Sequence, residues 1–315
     1  MISYGSVLIT GGAGFVGSML ASRILPFADH LYIIDDLTTG NPDSIPISDK
    51  VTFYQKSITN EDVLNEVLPK IDIIFHLACR NLVQSMNNIE EDFHINLYGG
   101  YFLLKKTLEL NPHLKRFVYT STTSVYNDAS ILPTPENYYN ISLPYAASKF
   151  SMEHYCDVFT KSFNLPISIL RLSNLYGPGQ LSSNPYCGVV AKFFESSLSH
   201  SPLIIYGNGT QTRDFTFIDD GIDAILLAGT HPSAIGKVFN VGTGIETNIL
   251  TLAQAVLKIT NNTQGKINYQ TERNVDVVKR RLIDSRFIHD ELGWKPTFSL
   301  DRGLEKTYKW IVSKK

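Results

Sequence analysis

Val7-Leu8-Ile9-Thr10-Gly11-Gly12-Ala13-Gly14-Phe15-Val16-Gly17 is the stretch that decides how this 315-residue chain folds. Val7 to Ile9 reads as a strand, Phe15 to Ile24 as a helix, and glycines 11, 14 and 17 punctuate the connection. Glycine is needed there so that the chain turns tightly and its backbone can approach a pyrophosphate, whose charge then rests on the helix N-terminus. A glycine triplet alone is a weak signal. Here it has a strand before it, a helix after it and Asp35 closing the second strand, Leu31-Tyr32-Ile33-Ile34, which is the context a dinucleotide site requires. Asp35 can accept hydrogen bonds from a ribose 2′-hydroxyl and would repel a 2′-phosphate, which favours NAD over NADP. Asp36 beside it has a second reading as an ordinary solvated turn residue.

Outward from this motif, short apolar runs alternate with helical patterns, the signature of βαβ units and a parallel sheet. Further buried-strand candidates are 51–54, 71–75, 116–119 and 167–170. Beyond Tyr176-Gly177-Pro178-Gly179 the pattern turns irregular and richer in Gly, Ser and Asn, and Lys237 to Gly242 again reads as a strand. The expected architecture is therefore α/β: a doubly wound parallel sheet over 1–175 plus about 236–244, interleaved with a smaller ligand-binding domain over 176–235 and 245–315.

Composition narrows the partners. With 43% hydrophobic and 18% charged residues the chain can bury a large core. A net charge of −2 gives no basic footprint for nucleic acid, so a small ligand is the expected partner. Cys79, Cys156 and Cys187 are scattered without metal-ligand spacing, so no disulfide framework and no metal site are expected. No apolar stretch reaches membrane-spanning length and no signal peptide precedes the first strand, so a soluble, cytoplasmic protein is expected.

Tyr145-Ala146-Ala147-Ser148-Lys149 opens a helical stretch, and the four-residue spacing puts phenol and ammonium on one face. A free tyrosine loses its proton near pH ~10, so a base at neutrality needs a nearby cation, which Lys149 and an oxidised nicotinamide would both provide. The pair gains weight from the hydroxyl cluster Thr120-Ser121-Thr122-Thr123-Ser124 at the end of a strand, where open α/β sheets bind ligands. The alternative reading of that cluster is a set of local Ser/Thr turns.

These motifs occur together with Arg171-Leu172-Ser173-Asn174-Leu175-Tyr176-Gly177-Pro178-Gly179, with Tyr206-Gly207-Asn208-Gly209-Thr210-Gln211-Thr212-Arg213-Asp214-Phe215 and with Leu292-Gly293-Trp294-Lys295-Pro296. In that order they resemble the extended short-chain dehydrogenases/reductases, and within them the NAD-dependent epimerase/dehydratase family, with its UDP-glucose 4-epimerase branch nearest. The resemblance implies a Rossmann-type sheet, NAD as cofactor and a nucleotide-diphosphate sugar, UDP-linked, as substrate. It implies Tyr145 as base, Lys149 as its partner and ribose ligand, and Thr122 as the hydroxyl that orients the reacting oxygen of the sugar. Cofactor contacts are expected from Gly11, Gly14, Phe15, Val16, Gly17, Asp35, Asp36, Leu77, Ala78, Asn96, Tyr145 and Lys149. Substrate contacts are expected from Thr123, Ser124, Asn174, Arg213, Arg273 and Asp276, with the two arginines clamping the diphosphate. A homodimer joined by the helices around Asn96–Leu110 and Ser148–Thr160 is implied as well.

Several positions depart from the family pattern. Asn127 stands where a glycine commonly follows Val-Tyr, Ser57 where an aspartate often meets the adenine, and Cys79 where a second alanine is usual. Arg80 is given no role. Family members oxidise the sugar at C4 and diverge afterwards. Its dehydratases add an Asp-Glu pair after the catalytic hydroxyl, because losing water needs a further acid and base; its decarboxylases tend to carry a glutamate there. Thr123 and Ser124 titrate at no useful pH, which favours 4-epimerisation through a transient 4-keto sugar over 4,6-dehydration or decarboxylation. A dinucleotide-binding sensor that kept the fold and lost the chemistry would be expected to lack Tyr145 or Lys149, and both are present.

Overall fold

The computed structural model describes residues 3–262, 264–274 and 276–314. In chain order its first strands are β1 (Gly5–Thr10), β2 (Ala28–Asp35), β3 (Val51–Gln55), β4 (Ile73–His76), β5 (Arg116–Thr122) and β6 (Ile167–Leu172). They are followed by β7 (Asn174–Tyr176), β8 (Leu203–Tyr206), β9 (Thr212–Phe217), β10 (Val238–Val241), β11 (Glu246–Asn248) and β12 (Ile267–Gln270). The main sheet has seven strands in the order β10-β6-β5-β4-β1-β2-β3, and the β1–β2, β2–β3, β1–β4 and β4–β5 pairings are parallel. Helices wrap its faces, so the inner strands are buried on both sides; every residue of β5 is buried. This is the doubly wound, Rossmann-type sheet expected from the sequence.

Strand order reverses between β1 and β4, and ligands in such sheets bind outside the carboxyl ends of the strands at that switch point. The two strand ends are joined there: the Thr10 hydroxyl meets His76 Nδ1 at 2.7 Å, and Leu77 N donates to the Thr10 carbonyl at 3.1 Å. Burial, reinforced by the charge of Lys149, pulls His76 down to about 3, so its ring is neutral. β5 runs three residues past the expected Tyr119. The β-branched Thr120 and Thr122 suit an extended buried backbone, and Thr122 therefore sits on the last residue of a strand rather than in a loop.

The chain forms two compact units. The first comprises Met1–Val125, Ile141–Arg171 and Ala224–Phe239, the second Tyr126–Asn140, Leu172–Asp223 and Asn240–Lys315. These limits differ from the expected ones at 126–140, 172–175 and 240–244, which fall in the second unit, and at 224–235, which falls in the first. The helix Ile218–Thr230 gives its C-terminal half to the first unit, because the Ala228 carbonyl accepts from Arg116 Nη1 at 3.0 Å and from the Ser168 hydroxyl at 2.9 Å. The segment 126–140 belongs to the second unit, tied in by the hydrogen bond of Tyr126 to Asn240 Oδ1 and by Asn240 Nδ2 donating to the Thr134 carbonyl at 3.0 Å.

Within the second unit β11, β9 and β7 form one sheet and β12 and β8 another. Two buried aspartates pin its connections. Asp214 accepts from the backbone and side chain of Thr243, at 2.7 and 2.6 Å, and from Gly244 N at 2.9 Å. Asp220 accepts from Thr297 and Phe298, while Trp294 Nε1 donates to the Asp220 carbonyl at 3.0 Å. The Leu292-Gly293-Trp294-Lys295-Pro296 motif is thus an anchor for the C-terminal segment. Among the described residues no helix is long and apolar enough to cross a membrane.

The glycine loop tests this packing. A Cβ on Gly17 would lie 2.1 Å from the Gly11 carbonyl oxygen, whereas one on Gly14 would lie 3.3 Å from it. Gly17→Ala should therefore lower unfolding stability by about 1–3 kcal/mol, the range of overpacking, and Gly14→Ala by distinctly less. Urea denaturation of the two variants measures the difference.

Candidate active site

The helix Phe15–Ile24 begins without a side-chain cap and without an acidic residue in its first turn, so its first N–H groups are available to an anion. Gly11 at φ +73° turns the chain ahead of it, and a Cβ there would meet the backbone of Ala78 at 2.7 Å. The cradle formed by Gly11, Gly14, Phe15, Val16, Gly17, Leu77 and Ala78 thus fits a dinucleotide pyrophosphate. Asp35, buried at the end of β2, accepts from Ala13 N at 3.0 Å and Leu37 N at 2.9 Å, so it braces the glycine loop. Burial raises its carboxyl above the ordinary value against the pull of those two N–H groups.

Asp36 and Asn96 have more occupied side chains than the sequence suggested. Asp36 takes Arg80 Nη2 at 2.7 Å and Thr38 N at 2.9 Å; burial works against its ionisation, yet these donors hold its carboxyl below the ordinary value. Arg80, given no role in advance, also donates Nε to Glu91 at 2.7 Å. Asn96 lies in a π-helical segment, Phe93–Gly99, a distortion often found at functional sites. Its amide accepts from Arg80 N at 2.7 Å and donates to the Arg80 carbonyl and to Asp92, at 2.9 and 2.6 Å. It shapes the loop after β4. Ser57 closes a local turn through Thr59.

Thr122, Tyr145 and Lys149 come together in the first unit. Thr122 Oγ1 accepts from Ser124 N at 3.0 Å, and the Thr122 hydroxyl lies near enough to the Tyr145 phenol to favour its charged form. The Cys79 thiol also lies beside the Tyr145 phenol. Burial raises the Tyr145 pKa well above the ordinary value, Cys79 and Asp92 add to this, and Thr122 works against it. One turn on, the Lys149 ammonium is 2% exposed and lies 4.4 Å from the centre of the Tyr119 ring. Burial lowers its pKa, against the raising influence of Cys79, Cys156, Glu153 and Asp92.

A second layer holds this group in place. Asp92 accepts from Ser148 at 3.1 Å as well as from Asn96, fixing the helix Pro144–Phe163 that carries Tyr145 and Lys149. On the same helix Glu153 accepts from Ser121 and forms a buried bidentate pair with Arg171, with contacts of 2.6 and 3.0 Å. Sequence reading missed Cys79, Asp92, Tyr119 and the Glu153–Arg171 pair. The one available signal was spacing, since Glu153 follows Lys149 by four residues.

Of the residues expected at the substrate, Thr123 and Ser124 lie in the turn directly after β5. Asn174 opens β7 and Arg213 sits on β9, where Nη1 donates to the carbonyls of Thr212 and Val278 at 2.7 and 3.0 Å. Arg273 gives its fork to Asp276, with two contacts of 2.8 Å, and packs over Tyr206 at 4.5 Å. Both oxygens of Asp276 are therefore already engaged.

A sequence model of the NAD-dependent epimerase/dehydratase family matches residues 7–242. The chain belongs to that family. It is 33% identical over 314 residues to a UDP-glucose 4-epimerase of Mycolicibacterium smegmatis, covering 98% of each protein. It is 29% identical over 335 residues to a dTDP-glucose 4,6-dehydratase of Haemophilus influenzae, again with 98% of each covered. Among solved structures, a UDP-glucose 4-epimerase of Thermotoga maritima with UDP-glucose superposes with a TM-score of 0.91 at 30% identity, over 98% of this chain and 99% of that one. As a member of the epimerase/dehydratase family the chain is an enzyme that uses NAD.

The buried Glu153–Arg171 pair gives a direct check of the second layer. Glu153→Leu alone should cost about 3–5 kcal/mol, because it takes the carboxylate partner from a buried guanidinium, whereas Glu153→Leu with Arg171→Leu should cost much less. Chemical denaturation of the single and the double variant separates these outcomes.

Proposed function

We propose that this family member is a nucleotide-sugar 4-epimerase that interconverts UDP-linked hexoses or N-acetylhexosamines differing at C4. The observation that carries the choice of reaction is the sequence Thr122-Thr123-Ser124 at the end of β5, where no carboxylate follows the hydroxyl that contacts Tyr145. Removing water across C5 and C6 would need a further acid and base at that place, and inverting C4 needs none. UDP-glucose, on which the Mycolicibacterium relative acts and which the Thermotoga structure holds, supports the substrate class.

NAD supplies the hydride acceptor and donor when bound. The chain itself does the rest. Tyr145 takes the proton of the sugar 4-hydroxyl and later returns it, with Thr122 near the phenolic oxygen and favouring its charged form. Lys149, buried one turn away, provides the positive charge that makes a phenolate attainable. Leu77, Ala78 and the Gly11–Gly17 loop would hold the cofactor phosphates and ribose, with Asp35 bracing the loop and able to accept from a ribose hydroxyl. Asp36 and Asn96 act through Arg80 and its loop as positioning residues. Asn174, Arg213, Arg273 and Asp276 serve the substrate, with Thr123 and Ser124 beside its sugar.

Tyr145→Phe should reduce turnover by roughly two to four orders of magnitude, the range of general acid–base catalysis, with NAD content unchanged. The product of the wild-type enzyme should be a stereoisomer of equal mass. Near-normal turnover in the variant would remove Tyr145 from the mechanism, and a product 18 mass units lighter would make the enzyme a dehydratase.

The homodimer reading rests on a group of exposed apolar side chains on the expected helices, Phe93, Tyr98, Tyr155, Val158 and Phe163. Light scattering should give twice the chain mass for the wild type and the chain mass for Val158→Glu; a monomeric wild type would dismiss it.

A further inference from the structure

The second unit holds a buried cation, Arg281, that forms no ion pair with a carboxylate among the described residues. Arg281 is 8% exposed, and its Nε is buried without a hydrogen-bond partner among the described residues. Its Nη2 reaches only the Asn127 carbonyl, at 3.4 Å, and the Oδ1 of that same Asn127 is also buried without a partner. Arg213 lies close enough for its charge to act on Arg281, and Arg213 spends Nη1 on two backbone carbonyls. Neither guanidinium forms an ion pair among the described residues. The nearby carboxylates attract them without pairing and accept their hydrogen bonds from elsewhere: Asp128 accepts from the backbone of Lys279 and Arg280, at 3.0 and 3.3 Å, and Asp276 is held by Arg273. Glu246 pairs with Arg280.

Burying two like charges side by side is costly unless an opposite charge joins them. Burial, with Arg213 alongside, pulls Arg281 down to about 9, which still leaves the group charged at neutral pH. A planar guanidinium with an unspent N–H is suited to phosphate or carboxylate oxygens. Arg273, the partner expected for Arg213, has a side chain 49% exposed and its fork already filled.

We infer that Arg281, together with Arg213, forms an anion site that takes an anionic oxygen group of the nucleotide sugar. This rests on the nucleotide-sugar reading above. Two sources share that chemistry, the diphosphate and a carboxylate on the sugar ring. A ligand hydroxyl at this site would satisfy the Asn127 Oδ1, which stands in the place where the family commonly has glycine.

The test measures binding of UDP, UDP-glucose and UDP-glucuronate to the full-length NAD-loaded protein by calorimetry. The proteins are the wild type, Arg281→Gln, Arg281→Lys and, as a surface control, Arg286→Gln, whose side chain is 85% exposed and paired with Asp284. Arg281→Gln should weaken binding about ten- to hundred-fold, the loss of a charge-assisted contact, with partial recovery in Arg281→Lys and no change in Arg286→Gln. Equal weakening of all three ligands assigns the site to the diphosphate. Weakening of UDP-glucuronate alone assigns it to a sugar carboxylate. Unchanged binding of all three ligands in a folded Arg281→Gln overturns the inference while leaving the nucleotide-sugar reading intact. A wild type that binds none of them overturns both. If Arg281→Gln does not fold, a crystal structure of the wild type with UDP-glucuronate decides. An anionic oxygen within about 3 Å of Arg281 Nε supports the site, and both anionic groups lying elsewhere contradicts it.

Discussion

A buried ammonium is the constraint around which the first unit is arranged. Lys149 faces the ring of Tyr119, and among the described residues its charge has no ion-pair partner. Withdrawing such a charge from water is expensive, so a fold keeps one only where surrounding interactions hold it in place. The end of β5 is buried throughout, the helix bearing Lys149 is fixed through Ser148 and Asp92, and Glu153 on that helix is locked to Arg171 and Ser121. Each of these contacts limits movement of the helix, and with it the relation of Tyr145 to Thr122. The raised pKa of Tyr145 follows from the same burial: the phenol keeps its proton until positive charge is brought to bear on it.

The cofactor end depends on a different economy, that of backbone space. Gly11 and Gly17 leave no room for a Cβ, so the first turn of the helix Phe15–Ile24 can come up against phosphate oxygens. Asp35 has two tasks there. Its carboxylate receives the N–H groups of Ala13 and Leu37, which means that its substitution would disturb the glycine loop as well as any contact to a ribose.

Local signals in the sequence carried the fold a long way. The helix from Phe15 to Ile24 has the expected limits, because its start is written in the glycines and its length in the apolar spacing. The strands of the parallel sheet were legible as short apolar runs for the same reason. Interactions between distant residues were not. Arg80 meets Asp36 across 44 positions and Ser121 meets Glu153 across 32, and neither pairing leaves a periodic trace. The membership of 126–140 in the second unit likewise depends on Asn240, more than a hundred residues away. Of the candidate site, Tyr145 and Lys149 could be found from their spacing, and Thr122 from the family resemblance within a hydroxyl cluster at a strand end. The carboxylates, the thiol and the ring that surround them could be found only from the fold.

The claim that sugars are inverted at C4 without loss of any atom is tested most directly by isotope. UDP-glucose carrying deuterium at C4 should yield a product of unchanged mass in which proton NMR finds the deuterium still on C4 and the configuration there inverted. A product that has lost water, or whose deuterium has moved to another carbon or into solvent, would contradict the account.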